Sequence, residues 1–437
     1  MKKLKQQKGI TLVALIITII ILLILAGISI ASLTQTGLFK KAKEAKQNTL
    51  DAQLKENTTL NEYDELIAKY GSSEGQPITK VDTSKTNPEG AKPKGATVIE
   101  GDATKGIVIK DSNNNEWVWV EVPKNIFTTA KSASEYDNIK ANLIEYAKDY
   151  RSSGYTDEWY AMDGSTLVTA STSGLTETQK TLKNGCGLTY NEYQMAYQKM
   201  LSSVYTNGGF WISRYEAGIE GTNTDETINE IPNVRYEHSD ITKDSPKAVS
   251  QADRIPYNFV TFSEAQTLAS VMSTDSSKTS SLLFGIQWDL TCKFLETKTN
   301  LIIADIKTNS ANWGNYKNSS IKLTRGRYNV SPGNSSSVWK RFNVDTDNVT
   351  GSQTSNNENY MQLLTTGASE DTKKMNIYDF AGNVWECTLE KTSHTSTPCA
   401  ARGGSFYSFS FERPASCHGI NFTTDRYSYV GFRSTLY

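Results

Sequence analysis

Cys417 and His418 stand side by side, and a thiol beside an imidazole is the usual start of a nucleophilic centre. The inventory that would complete such a centre is short. The 437-residue chain has five cysteines (Cys186, Cys292, Cys387, Cys399, Cys417) and three histidines (His238, His394, His418). No two cysteines have the CxxC spacing of a redox or zinc motif, and three histidines argue against a histidine-built zinc site. Five cysteines allow at most two disulfides, whose pairing the sequence does not give. The remaining residues with pronounced chemistry lie in three short pieces near the C-terminus: Gly382-Asn383-Val384-Trp385-Glu386, Arg402-Gly403-Gly404-Ser405 and Gly431-Phe432-Arg433. Their glycines open turns that a side chain would close, Trp385 and Phe432 supply core, and Arg402 and Arg433 can pair with buried acceptors. These are the tools of a scaffold rather than of a reaction.

Between the last two pieces the composition changes. Phe406, Tyr407, Ser408, Phe409, Ser410 and Phe411 are followed by Asn421, Phe422, Thr423, Thr424, Asp425, Arg426, Tyr427, Ser428 and Tyr429. Tyrosine gives a large, rigid contact at low entropic cost, and Ser and Asn give adaptable hydrogen bonds, so this mixture suits a recognition surface. Ordinary strands with Phe409 and Phe411 in the core would produce a similar pattern. The candidate binding residues are Phe406–Phe411, Asn421, Phe422, Asp425, Tyr427 and Tyr429.

The rest of the chain must position and deliver that run. Charge is nearly balanced, 46 Lys+Arg against 47 Asp+Glu, so no nucleic-acid footprint is present. Four lysines precede Gly9, and residues 10–31 carry no charge. As a helix that stretch would span roughly 33 Å, enough to cross a bilayer with the lysines on the cytoplasmic side. Residues 38–70 show amphipathic helical spacing through Leu50, Leu54, Leu66 and Tyr70, with Gly71 placed to stop it. The order reads as leader 1–9, transmembrane and stem helix 10–70, linker 71–105 and a large domain over 106–437. Within that domain the spacing predicts a β-hairpin over 106–123 and helices near 132–150 and 188–201. A buried strand at 209–216 and two helices, 261–272 and 281–296, follow, the first of these opened by the capping box Thr261/Glu264. Modest helices, short scattered strands and many loops define an α+β class, headed here by a long N-terminal helix.

Two resemblances sharpen this. Lys8-Gly9-Ile10-Thr11-Leu12-Val13, running straight into the apolar stretch, resembles the prepilin leader of type IV pilins and pseudopilins, which implies cleavage between Gly9 and Ile10. Ala14 stands where that family usually has a glutamate, which favours a tip or membrane-retained subunit over one packed in mid-filament. The order FWISRYEAG, PYNFVTFSEAQTLASVM, LLFGIQWDLTCKF, YDFAGNVWECT, ARGGS and GFR resembles the formylglycine-generating enzyme (sulfatase-modifying factor) domain, a variant of the C-type lectin fold. The oxidase chemistry of that family needs two cysteines shortly after RGGS; those positions are Ser408 and Arg413 here, so the resemblance implies fold without catalysis. It also allows a structural calcium ion at Glu386, and no other cofactor. The layout is similar to variable proteins of diversity-generating retroelements, whose residues 402–437 equivalent is a ligand-binding region randomised at Asn codons. Of the residues between Ser405 and Tyr429, only Glu412 falls outside the set such codons yield.

The expectation is therefore a non-enzymatic, cell-surface or extracellular bacterial protein, held in the membrane or in a pilus with pilin-like partners. It would bind a protein or glycan on another cell or on a phage or host surface through its aromatic face. The alternatives are a structural minor pilin or pseudopilin at a filament tip, and an oxidase of the formylglycine-generating type.

Overall fold

In the computed structural model the chain divides at Gln76/Pro77. Described here are residues 86–437 except 165, 169–173, 223–227, 233–240, 243, 331, 335, 344–349, 353–361 and 422. The expected leader, transmembrane and stem segments, including Gly9 and Ile10, lie outside the described residues.

Two sheets organise the described part. The larger is antiparallel throughout and runs, in spatial order, Thr97–Glu100, Val108–Lys110, Glu116–Glu121, Gly209–Ser213, Ser434–Leu436 and Ser280–Leu282. Its second and third strands are the hairpin expected over 106–123, with Asn114 in the left-handed turn conformation that Asn tolerates. Glu116–Glu121 and Gly209–Ser213 read as near-continuous apolar runs because both faces are covered. Trp117, Trp119, Phe210 and Trp211 are all buried there, with Trp119 and Trp211 meeting edge to face at 5.1 Å. The second sheet has the order His418–Asn421, Cys399–Arg402, Trp385–Thr392, Val430–Phe432, and Tyr155–Thr156 joins the far end of Trp385–Thr392. Its one parallel pairing, Trp385↔Val430 through Cys387↔Phe432, brings two of the C-terminal sequence pieces side by side.

Three helices pack on these sheets, and the first two start at capping boxes. Thr189 and Glu192 cap Tyr190–Asn207, whose end is closed by the left-handed Gly208; Thr261 and Glu264 cap Phe262–Ser270. The third, Gly285–Lys298, begins later than its apolar pattern suggested. Ser280–Leu282 are taken as the edge strand of the larger sheet, and Asp157 receives the first free amides of the helix, Gly285 N at 2.6 Å and Ile286 N at 2.9 Å.

The expectation of a long N-terminal membrane and stem helix leading into a loop-rich domain is corrected. The described chain is mixed and strand-rich with a few short helices, and among the described residues no helix is long and apolar enough to cross a membrane. The longest of them, Tyr190–Asn207, has 18 residues and buries only one side: Tyr193, Tyr197, Met200, Leu201 and Val204 face inward, while Asn191, Glu192 and Gln194 do not. Such a stripe packs on a sheet and cannot face lipid all round.

Candidate functional site

The run between Arg402 and Val430 is two loops joined by the edge strand His418–Asn421: the first leaves and re-enters one end of the second sheet, and the second starts at the opposite end, at Asn421, and returns to the first end at Val430. Their starting geometry is fixed by the Gly382–Glu386 piece. Gly382 has φ +78°, and a Cβ there would stand 2.2 Å from the Asn315 carbonyl oxygen, so only glycine fits. Asn383, also left-handed, is a hub: its Nδ2 donates to Glu216 at 2.6 Å, its Oδ1 accepts from Asn315 Nδ2 and Leu364 N, and its carbonyl accepts from Phe406 N at 2.9 Å. Gly404, at φ +76°, lies against the Arg413 carbonyl, 2.3 Å from where a Cβ would sit. The first loop is thus pinched closed at its neck.

Two buried arginines carry the next layer. Arg433 reaches Glu386 through Nε and Nη2 at 2.9–3.1 Å and donates to the carbonyls of Ser213 and Tyr378, so it stitches the two sheets together. Both Glu386 oxygens face a guanidinium; a calcium ion there would meet a fixed positive charge, and the residues do not fit that ion. Arg402 pairs with Asp289 and donates to the Ser416 carbonyl at 2.9 Å, while Glu390 lies 3.5 Å from its Nε. Asp289 is shared with Arg151 at 3.0 Å, and Arg151 also approaches Asp157 at 3.8 Å. His418 Nε2 sits 3.6 Å from Glu390, and its ring lies against Tyr155 at 4.5 Å.

Protonation follows from burial. Burial pushes Glu390 up to about 8 against the pull of Arg402, and neither of its oxygens accepts a hydrogen bond among the described residues, as suits an acid that keeps its proton. Burial, with Arg402 and Arg151 adding to it, holds His418 far below its ordinary range, so the ring is neutral packing and not a base. Burial also raises the Cys417 thiol against the pull of Arg413 and Arg402, the wrong direction for a nucleophile, and its sulfur lies against the carbonyls of Glu412 and His418. The Cys417 thiol and the His418 imidazole are neighbours without a shared task.

The candidate binding residues separate into three groups. Tyr407, Tyr429 and Tyr427 form one continuous stack at the surface, with ring centroids 5.7 and 4.9 Å apart and planes within 18° and 10°. Tyr407 is 57% exposed, and the Tyr427 hydroxyl donates to Asp425. Burial within the stack, helped by Tyr407 and Asp425, raises the Tyr429 hydroxyl, which stays a neutral phenol. A second pair, Phe409 and Phe411, stacks at 5.2 Å with Phe411 56% exposed. Ser408 and Asn421 are half-buried at the margin. Phe406 and Ser410 do not reach the surface: Phe406 is core, and Ser410 is held by Asn309 and Asn318. Phe422 lies outside the described residues. Arg413, at one of the positions where the resembled oxidases need cysteine, is exposed, and Ser408, at the other, pairs with Ser405.

Residues with no sequence signal complete the face. The 303–319 segment, which reads as part of an Asn/Ser-rich loop, cradles the first loop: Lys317 N donates to the Ser408 carbonyl at 2.9 Å, Lys317 Nζ stands 5.0 Å over the Phe409 ring, and Ser310 Oγ accepts from Ala415 N. Glu264 clamps Arg426 through two contacts at 2.8 and 3.1 Å, tying the second loop to the capping box of helix Phe262–Ser270. Such partners are brought together by the fold alone.

No family model matches the chain, and no curated protein matches it. Among solved structures it is similar to Treponema denticola variable protein 1, at 13% identity and a TM-score of 0.21 over 79% of this chain and 92% of that one. At that score the likeness carries no argument about what this chain binds.

Proposed function

We propose that this chain is a ligand-binding protein whose recognition surface is the C-terminal aromatic face. The observation that carries the reading is the surface stack Tyr407–Tyr429–Tyr427, with Tyr407 exposed and the Phe409/Phe411 pair on the same loop as Tyr407, on loops whose necks are clamped by a buried ionic scaffold. Rigid aromatic anchors surrounded by Ser, Asn and Asp are the means by which paratopes bind, because little conformational entropy remains to be lost. The reading is of a binding protein and not an enzyme: Ser408 and Arg413 offer no thiolate, and the one nearby thiol, Cys417, is held in its protonated form. The ligand class proposed is a protein or glycan outside the cell, a location supported by the lysine-rich start and the Lys8-Gly9-Ile10 junction.

The test is a binding screen of the purified chain against immobilised glycans and intact bacterial cells, run beside Tyr407→Ser and Tyr429→Ser variants. Binding by the native chain that both variants lose supports the reading; binding that survives both, or a folded native chain that retains nothing from either panel, overturns it. The finer proposal, that the outward positions are diversified, predicts a near-copy of the 402–437 coding region beside a reverse-transcriptase gene, with Asn codons at the Tyr, Phe and Ser positions.

A further inference from the structure

The proposed recognition uses none of the buried sulfurs. Cys186 and Cys399 are both wholly buried, and the neighbouring Cys399 thiol, ahead of burial, raises the Cys186 thiol. Three contacts fix that geometry from both sides. The Cys399 sulfur takes the Tyr160 hydroxyl at 3.2 Å and is pressed against the backbone next to Cys186, 2.5 Å from where a Cβ on Gly185 would be. The Cys186 sulfur reaches the Thr388 carbonyl at 3.5 Å, and Thr388 Oγ1 bonds to the carbonyl of Ala400, beside Cys399. Cys186 sits in a stiff turn, with Asn184 Oδ1 accepting from Cys186 N and Leu188 N. Neither residue is free to turn away from the other.

The other cysteines are excluded by register. Cys387 pairs with Ala401, and the irregularity that follows it sets Lys391, not Cys387, opposite Cys399. Cys292 is on helix Gly285–Lys298, and the neighbours of Cys417 are Glu412, Arg413 and His418.

We propose that Cys186 and Cys399 form a disulfide as the chain folds outside the cell, the location being the one that rests on the proposed function. An S–S bond of about 2.05 Å would join two sulfurs held in one buried neighbourhood. One thiolate attacks an external disulfide, such as oxidised glutathione or a dithiol oxidase, and releases one of its halves as a thiol. The second thiolate then attacks the mixed disulfide at the first cysteine's sulfur and releases the other half. The pair gives up two electrons, the external disulfide becomes two thiols, and the two cysteine protons go to them. The neighbouring Cys399 thiol and burial hold the Cys186 thiol protonated in the finished fold, so exchange belongs to the stage before the core closes. The bridge ties the 184–188 turn, which also backs Thr423 in the second binding loop, to the strand that leads into Gly403 and Gly404.

The experiment refolds the full chain in a glutathione redox buffer, blocks free thiols, and maps unreduced peptides by mass spectrometry. The expected product is a single Cys186–Cys399 cross-linked peptide, with a melting temperature that falls by roughly 5–10 °C on adding dithiothreitol. The Cys186→Ala/Cys399→Ala variant should melt at the reduced temperature whether or not dithiothreitol is present. Recovery of Cys186 and Cys399 as blocked thiols, or of either joined to a different cysteine, overturns the proposal; should the variant fail to fold, the native peptide map decides alone. Binding in the same samples separates the two readings: an absent bridge with ligand capture intact sinks only the disulfide, and a present bridge with no capture sinks only the binding face.

Discussion

Arg402 and Tyr407 are five positions apart, yet the first is completely buried and the second is 57% exposed. On one side of that short step charged groups answer to other parts of the fold, as Arg433 does to Glu386, Ser213 and Tyr378. On the other side the tyrosines answer mainly to each other, through ring stacking that any phenol of similar size could reproduce. The scaffold is therefore intolerant of change and the face tolerant of it. The difference arises from desolvation: a charge left unpaired inside a protein costs several kcal/mol, whereas an exposed ring replaced by a smaller one returns its surface to water.

The comparison is most severely tested by Arg433→Ala, which strands the Glu386 carboxylate; stability should fall by about 3–5 kcal/mol in a denaturant titration. Phe406→Ala should cost about as much, because Phe406 belongs to the scaffold despite lying in the aromatic run. If either substitution is mild, the division is drawn in the wrong place. Next in size is a pH effect at Glu390, which is faced by Arg402, Asp289, Asp157, Arg151 and His418. Its pKa is raised from an ordinary 4.5 to about 8, so its contribution is full below pH 4.5 and is lost as pH rises through 8. His418 acts in the opposite sense, with stability lost as pH falls below its ordinary 6.5. Glu390→Gln should therefore flatten a decline of a few kcal/mol between pH 5 and 8 while leaving the acid limb in place, measured by unfolding across pH.

On the face, Tyr429→Ala removes the centre of the stack. Ligand capture should fall about 30-fold, while stability changes by no more than about 1 kcal/mol. The smallest effect is expected for Phe411→Ser, whose melting curve should match that of the native chain to within about 0.5 kcal/mol.

Much of this division was legible in the chain. The capping box at Thr261, the turn at Asn113–Asn115 and the glycines of the C-terminal pieces act over a few residues, and local signals report them directly. Long-range pairing was not legible. Nothing near Ser281 announces that it will join a sheet edge instead of the following helix, and nothing near Lys317 announces a ring from position 409. Alternation in Phe409-Ser410-Phe411 suggested a strand; the residues instead form turns, because Ser410 is drawn inward by Asn309 and Asn318.

That inward pull has a consequence for anyone wishing to remake the surface. Phe406 and Ser410 act as the feet of the first loop, so a synthetic library should hold them constant. Positions 407, 408, 409 and 411, with 425, 427 and 429 on the second loop, form the randomisable palette. Seven positions on one pre-clamped platform are enough for a repertoire, and Gly404, closed against Arg413, keeps each member from altering the frame that displays it.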